Sequence, residues 1–462
     1  MLTNSKSKNI ANSAKLAFDK YQSIPKEYKK VALEAFRKIL NERRDEVLLA
    51  NDLDLVEAKE QVAKGHASES MLKRLDLRSS PEKYDDMLKG IDDVIKLDDP
   101  VGKVQSIKRL DHELDLAKVT CPIGVLLIIF EARPEVIVNI TALAIKSGNA
   151  AILKGGKESS NTQNVLTTLI TESLAPILPA HLIQTVSSRS EIGELLKEDQ
   201  FIDLVIPRGS KELVQNIKSD TKIPVLGHAD GLCTIYVDED ANLSTAIRCI
   251  VDAKTTYPAA CNSVETLLIH QSLLPDQFPN IALNLLNAKV TLKLDQTALD
   301  ALKASNRITS HPLFWSNCSV AKEDDFKTEW LSLTLTVRTV ESIERAIEHI
   351  NQFSSHHTDS IITQSETRGS TFVRAVNSSS VYINCSTRFA DGFRYGFGTE
   401  IGISTSKIHA RGPVGLEGLV TYKWVIKSRA SQGHITDEFG YGKKSYVHEE
   451  VEVDEESSRL AY

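Results

Sequence analysis

The chain lacks most of the features that would mark a non-enzymatic or secreted protein. Its 462 residues hold only six cysteines, at 121, 233, 249, 261, 318 and 385. None forms a C-x-x-C pair, which speaks against a disulfide framework or a zinc site and for a reducing compartment. The longest apolar run, Ile123 to Phe130, falls far short of the roughly 20 residues of a membrane-spanning helix. The N-terminus carries no apolar leader core, so a soluble, unprocessed, cytoplasmic protein is expected. Charge of one sign is not in excess either. The net charge of −7, from 55 basic and 62 acidic residues, is spread along the chain, which speaks against nucleic acid or an anionic membrane as a partner. Internal repeats and low-complexity blocks are absent, apart from an acidic tail at 449–456. So is any G-x-G-x-x-G between a strand and a helix in 123–237, the usual dinucleotide fingerprint.

What is present is an α/β pattern. The length predicts two large domains. The first hundred residues read as helices, with Ala32, Ala35, Phe36, Ile39 and Leu40 on one apolar stripe. From 123 onward, apolar runs at 123–129, 150–153, 182–186, 202–206 and 233–237 alternate with amphipathic segments, the pattern of a doubly wound parallel sheet. Pro134 reads as a first-turn residue, Ser210 as an N-cap and Gly148-Asn149 as a helix stop. A further helix at about 241–254 leads to Cys261, in the run Tyr257-Pro258-Ala259-Ala260-Cys261-Asn262-Ser263. A thiol on a Pro-broken turn ahead of an apolar strand projects into a cleft while the strand fixes its position. The rival reading is a small buried hydrophobe, common for free cysteine.

The stretch 383–419, INCSTRFADGFRYGFGTEIGISTSKIHARGPVGLEGL, tips the balance. It is rich in Gly and carries Arg388, Arg394 and Arg411 among small residues. Together with TYPAACNSVETLLI around Cys261 and FEARPEVI at 130–137, it resembles the aldehyde dehydrogenase superfamily, and within it the branch that reduces L-glutamyl 5-phosphate in proline biosynthesis. The resemblance covers nearly the whole chain. It implies a Rossmann-type cofactor domain (1–104 and 122–253), an α/β catalytic domain with Cys261 (254–418) and oligomerisation strands (105–121 and 419–462), hence a homo-oligomer.

The resemblance also implies a chemistry. Cys261 attacks the acyl phosphate, a thioester remains, and NADPH reduces it to L-glutamate 5-semialdehyde. Backbone N–H groups near Cys261, with the Asn262 side chain, are candidate oxyanion donors, although Asn262 reads equally well as a turn residue. Lys154, Gly155, Gly156 and Lys157 follow one strand, and Arg208, Gly209 and Ser210 follow another. Both segments resemble cofactor-binding segments of the superfamily, with Lys154 at the adenosine ribose and Gly209-Ser210 opening a helix toward the pyrophosphate. Lys157 stands where NAD-preferring relatives carry Glu, which suits a 2′-phosphate and so NADPH. Glu329 resembles the acid that holds the nicotinamide ribose. Arg133, beside Pro134, is a candidate phosphate clamp, and Arg388 and Arg411 are candidates for the α-carboxylate or phosphate, with loop tethering an equal alternative.

Two departures from the superfamily pattern matter. The general-base Glu of hydrolytic members becomes Leu226, which suits phosphate rather than water as acyl partner, and the oxyanion-hole Asn is missing, its place falling near Ala132. His228 reads as a core histidine ahead of a replacement base. His356 and His357 have no second ligand cluster in sequence, so a structural role is expected and no metal. Nothing in the chain resembles a glutamate kinase domain, so a separate glutamate 5-kinase is expected to supply the substrate. The alternatives are a hydrolytic aldehyde dehydrogenase and a cofactor-free cysteine hydrolase or acyltransferase pairing Cys261 with His228 or His409.

Overall fold

The computed structural model describes residues 2–66, 69–131, 133–186 and 188–454. Five helices open the chain, from Leu2–Tyr21 to Lys83–Lys96, and their apolar stripes pack against a four-stranded sheet. Phe36, Leu40 and Ile91 share one core with Leu127, Ile128 and Ile152 of that sheet. Its strands run in the order Ile183–Thr185, Ala150–Lys154, Val125–Phe130, Leu204–Arg208, all parallel. Val125–Phe130 is buried along its whole length, as a central parallel strand covered on both faces must be. The helix stop at Gly148 is left-handed, with φ 76°, a conformation that suits glycine. Ser210 caps its helix by accepting from the Leu213 N–H. Pro134 sits one place earlier than expected, just ahead of the helix Glu135–Ser147.

The fifth apolar run does not join this sheet. Cys233–Val237 pairs in parallel with Val264–His270 on one side and Thr358–Ile362 on the other, inside a separate seven-stranded sheet. The order there is Cys318–Val320, Thr291–Leu294, Thr334–Val340, Val264–His270, Cys233–Val237, Thr358–Ile362, Ser380–Ile383, parallel throughout. At the edge where the run was expected, Val225 makes a single bridge to Val205. The chain therefore crosses between sheets at about 226–232, ahead of the crossing expected after 253. An apolar run buried on both faces reads the same in either sheet, so its membership is set by long-range pairing.

A third, antiparallel sheet stands apart, in the order Val420–Ser428, Leu114–Pro122, Val104–Asp111, Glu449–Val451. Among the described residues no helix is long and apolar enough to cross a membrane.

Candidate active site

Cys261 lies on the loop between the helix Leu243–Thr255 and the strand Val264–His270. Two backbone hydrogen bonds shape the turn, Ala260 N–H to Tyr257 O (3.1 Å) and Ser263 N–H to Ala260 O (2.9 Å). The Ser263 hydroxyl fixes it to the preceding helix by donating to Ala253 O (3.0 Å). From the crossing segment, Gly231 packs so closely that a Cβ there would lie 2.1 Å from the Cys261 carbonyl oxygen. The Gly231 N–H is held by a Glu329 carboxylate oxygen at 2.9 Å. Burial raises the pKa of Glu329, against the pull of that N–H. One oxygen of Glu329 thus braces the backbone behind the thiol.

Behind Glu329 stands a wholly buried ion pair. Lys254 donates to Glu265 (2.6 Å) and to Val264 O (2.9 Å), and the second Glu265 oxygen accepts from Leu331 N–H (3.3 Å). Burial pushes the Glu265 carboxyl up to about 7. Such a pair is costly to break by removing one partner.

Two imidazoles approach the thiol. One ligand atom each of His228, His357 and Cys261 lie within 4.8 Å of one another. The two rings meet edge to face at 5.2 Å. His228 has its Nδ1 on Ile403 O at 3.1 Å, and burial lowers its pKa against the pull of that carbonyl. His357 is fully buried, and its Nδ1 contacts the Thr358 hydroxyl at 2.8 Å. Sequence reasoning gave His357 a structural role because its neighbours here come from three separate segments. His409, the other base considered, is turned to Gly418 O (2.9 Å). Leu226 is 2 % exposed and sits in the core of the first sheet.

The Asn262 side chain is tied into the Gly-rich loop. Its amide donates to Ala390 O (2.9 Å), and its oxygen accepts from Arg388. The buried Arg388 keeps its Nε without a partner among the described residues and lies 5.8 Å from the Tyr257 ring centroid. Burial and the neighbouring Arg394 lower its pKa, opposed by Cys261. A partly unsatisfied guanidinium beside the thiol suits an anionic substrate group. Arg411 donates to Asn377 O (2.6 Å), and its buried Nε, like that of Arg388, has no partner among the described residues.

Arg208, expected on the cofactor, stands under the fields of Glu400, Arg133 and Cys261. Burial lowers its pKa and Glu400 opposes that. Ala132, near the expected oxyanion-hole position, lies outside the described residues.

The remaining candidates sit at the carboxyl ends of two strands that flank Val125–Phe130, where open α/β sheets bind ligands. Lys154 is buried and donates to Gly155 O. Gly156 precedes a 3₁₀ turn opened by the exposed Lys157. On the other strand, exposed Gly209 and Ser210 start the helix Lys211–Asp220. A Glu131 carboxylate oxygen already accepts from the Ser210 N–H (3.1 Å), so this helix start takes an oxyanion, as a pyrophosphate site requires. The residues present fit a dinucleotide.

Comparison with known proteins bears on the same arrangement. Residues 1–309 match the aldehyde dehydrogenase family. A probable gamma-glutamyl phosphate reductase from Schizosaccharomyces pombe is 48% identical over 444 residues, covering 96% of both chains. The chain belongs to the γ-glutamyl phosphate reductases. The Saccharomyces cerevisiae member is 46% identical over 461 residues, covering 97% of this chain and 99% of its own. The crystal structure of the Thermotoga maritima member superposes with a TM-score of 0.83 at 35% identity, covering 91% of this chain and 98% of that one. The chain is thus an oxidoreductase of the aldehyde dehydrogenase fold, a family whose enzymes work with a nicotinamide cofactor.

Proposed function

We propose that the chain catalyses NADPH-dependent reduction of L-glutamyl 5-phosphate to L-glutamate 5-semialdehyde and phosphate, the second step of proline biosynthesis from glutamate, with Cys261 as nucleophile. The observation that carries this reading is the thiol on its braced turn, in a chain that matches γ-glutamyl phosphate reductases over nearly its whole length. The Cys261 thiolate forms a C–S bond to the acyl carbon as the C–O bond to phosphate breaks. Arg388, and Arg208 with Arg133, supply positive charge for the substrate carboxylate and the departing phosphate. Lys154, Gly155, Gly156, Lys157, Arg208, Gly209 and Ser210 hold the dinucleotide, with Lys157 at the 2′-phosphate and Glu329 on the nicotinamide side. When bound, the cofactor supplies the hydride. Leu226 leaves no carboxylate at the position where hydrolytic relatives activate water, which protects the thioester.

A ring nitrogen of His228 lies within 4.8 Å of the Cys261 Sγ, the neighbourhood a hydrolase base would occupy, but the family match favours the reductase. The third sheet supports a homo-oligomer: its edge strand Val420–Ser428 exposes Tyr422, Trp424 and Ile426 in alternation, an apolar strip that suits burial against a second copy. The free cysteines suit the reducing cytoplasm, and a separate glutamate 5-kinase supplies the substrate.

The test runs the reaction backwards. In phosphate-free buffer, semialdehyde and NADP should give a burst of one NADPH per site and then stall, and added phosphate should restore cycling. Cys261→Ala should bind NADPH yet lose turnover by more than a thousandfold. Full-rate cycling without phosphate would replace the reductase with a hydrolytic dehydrogenase.

A further inference from the structure

The sequence gives no metal motif, yet the fold gathers a ligand set around the thiol. Cys261, His228 and His357 come from the turn before Val264–His270, the crossing between the sheets and the residue preceding Thr358–Ile362. Their ligand atoms lie within 4.8 Å of one another. In a tetrahedral zinc site, with Zn–S about 2.3 Å and Zn–N about 2.0–2.1 Å, such atoms stand about 3.3–3.6 Å apart. The trio needs to close by about an ångström, within the range of a χ1 adjustment at Cys261.

The imidazoles are arranged as ligands are. His228 has its Nδ1 on the Ile403 carbonyl, the outer contact that typically fixes a metal-binding tautomer and leaves Nε2 with a bare lone pair. His357 has its Nδ1 against the Thr358 hydroxyl. Its Nε2 is buried and has no hydrogen-bond partner among the described residues. A buried nitrogen left unsatisfied is destabilising, and a metal ion would satisfy it. The trio holds one soft sulfur and two borderline nitrogens and no carboxylate, which selects Zn²⁺ over Mg²⁺ or Ca²⁺.

We propose that Cys261, His228 and His357 form an inhibitory site for Zn²⁺ or a similar borderline-soft divalent ion, which captures the thiol before the substrate does. Binding takes the Cys261 proton into solvent and forms a metal–thiolate bond, with water in the fourth position. Cys233 lies close, its Sγ 3.8 Å from His357 Nδ1, but its thiol donates to the Cys261 backbone carbonyl (3.3 Å) and it falls outside the set of ligand atoms that lie within 4.8 Å of one another. The inhibitory part of the proposal rests on Cys261 being the nucleophile.

Co²⁺ serves as an optical probe of the site. Titration of the full-length wild-type chain should give one Co²⁺ per chain, a thiolate-to-metal charge-transfer band and the visible bands of tetrahedral cobalt. One equivalent of Zn²⁺ should erase them and block alkylation of Cys261 by iodoacetamide. Cys261→Ser should abolish the charge-transfer band, whereas Cys233→Ser should retain it. His228→Gln and His357→Gln should each weaken Co²⁺ binding at least tenfold. Because His357 is wholly buried, its variant is read together with circular dichroism, and the half-buried His228 gives the same test independently. Absence of the thiolate band, or a band unchanged in His228→Gln, would overturn the site. A band without loss of turnover under Zn²⁺ would leave the site standing and remove Cys261 as nucleophile.

Discussion

Replacing Gly231 by alanine adds one methyl group and should disable the thiol without unfolding the protein. The new Cβ would lie 2.1 Å from the Cys261 carbonyl oxygen and 2.5 Å from its Cα, where ordinary contact begins at 3.4 Å. The shortfall at the oxygen is about 1.3 Å. Neither clashing atom is the end of a flexible side chain. The Cys261 turn must therefore move, or Gly231 must retreat and break its bond to Glu329. A misplacement of about 1 Å typically costs about a hundredfold in rate, so kcat/KM for phosphate-dependent semialdehyde oxidation should fall by at least that factor. The stability loss should be about 1–3 kcal/mol, the usual range for overpacking. The comparison variant is Gly193→Ala, within the helix Arg189–Leu195, where a Cβ meets nothing within 4 Å. It should retain full activity and gain about 0.5–1 kcal/mol. Steady-state kinetics, the alkylation rate of Cys261 and thermal melts of both variants form the assay. Activity of Gly231→Ala within threefold of wild type would refute the claim that this contact positions the nucleophile.

Other expectations are independent of that contact. Lys157→Glu should raise KM for NADPH by about tenfold or more and leave NADH nearly unchanged, since it trades a 2′-phosphate partner for a like charge; an unchanged ratio of efficiencies would move that contact elsewhere. Leu226→Glu should introduce phosphate-independent turnover by placing a carboxylate where water can be activated, at a cost of several kcal/mol because the site is buried; trapping by phosphate alone in this variant would count against the missing-base argument. His349, stacked on Phe353 and held by burial at a pKa of about 3, is neutral when folded and charges more readily when unfolded. Its stability contribution is present above pH 6.5 and is lost toward pH 3, at up to about 1.4 kcal/mol per pH unit. Denaturant titrations should show this acid limb flattened in His349→Gln.

Much of this arrangement is legible in the residues, for identifiable reasons. Ser210, Gly148 and the apolar runs of the first sheet act locally, through caps, a left-handed stop and periodicity, and they appear where expected. The strand 233–237 was assigned to the wrong sheet because period and hydrophobicity carry no record of which neighbours a buried strand will find. His357 is a stronger case. Its neighbour His356 suggests a metal pair but brings no further ligands in sequence, and His357 reaches Cys261 because Thr358–Ile362 lies beside Cys233–Val237 in a pairing across more than a hundred residues. Asn262 and Arg388 were both visible as candidates, but their bond to each other, which turns one into a brace for the other, was not.

The crossing at 226–232 bears on how such enzymes can be recombined. A chimera that imports the four-stranded sheet of another dehydrogenase to change coenzyme would be cut, on the sequence pattern, near residue 254. That cut would carry a foreign Leu226, His228 and Gly231 into the host along with the strand Cys233–Val237, exchanging the wall behind the thiol together with the cofactor platform. A joint placed after Ile223 and before Leu226 keeps the host's wall intact, with the Val205 and Val225 bridge and the packing of Leu226 on the four-stranded sheet to be matched across the seam.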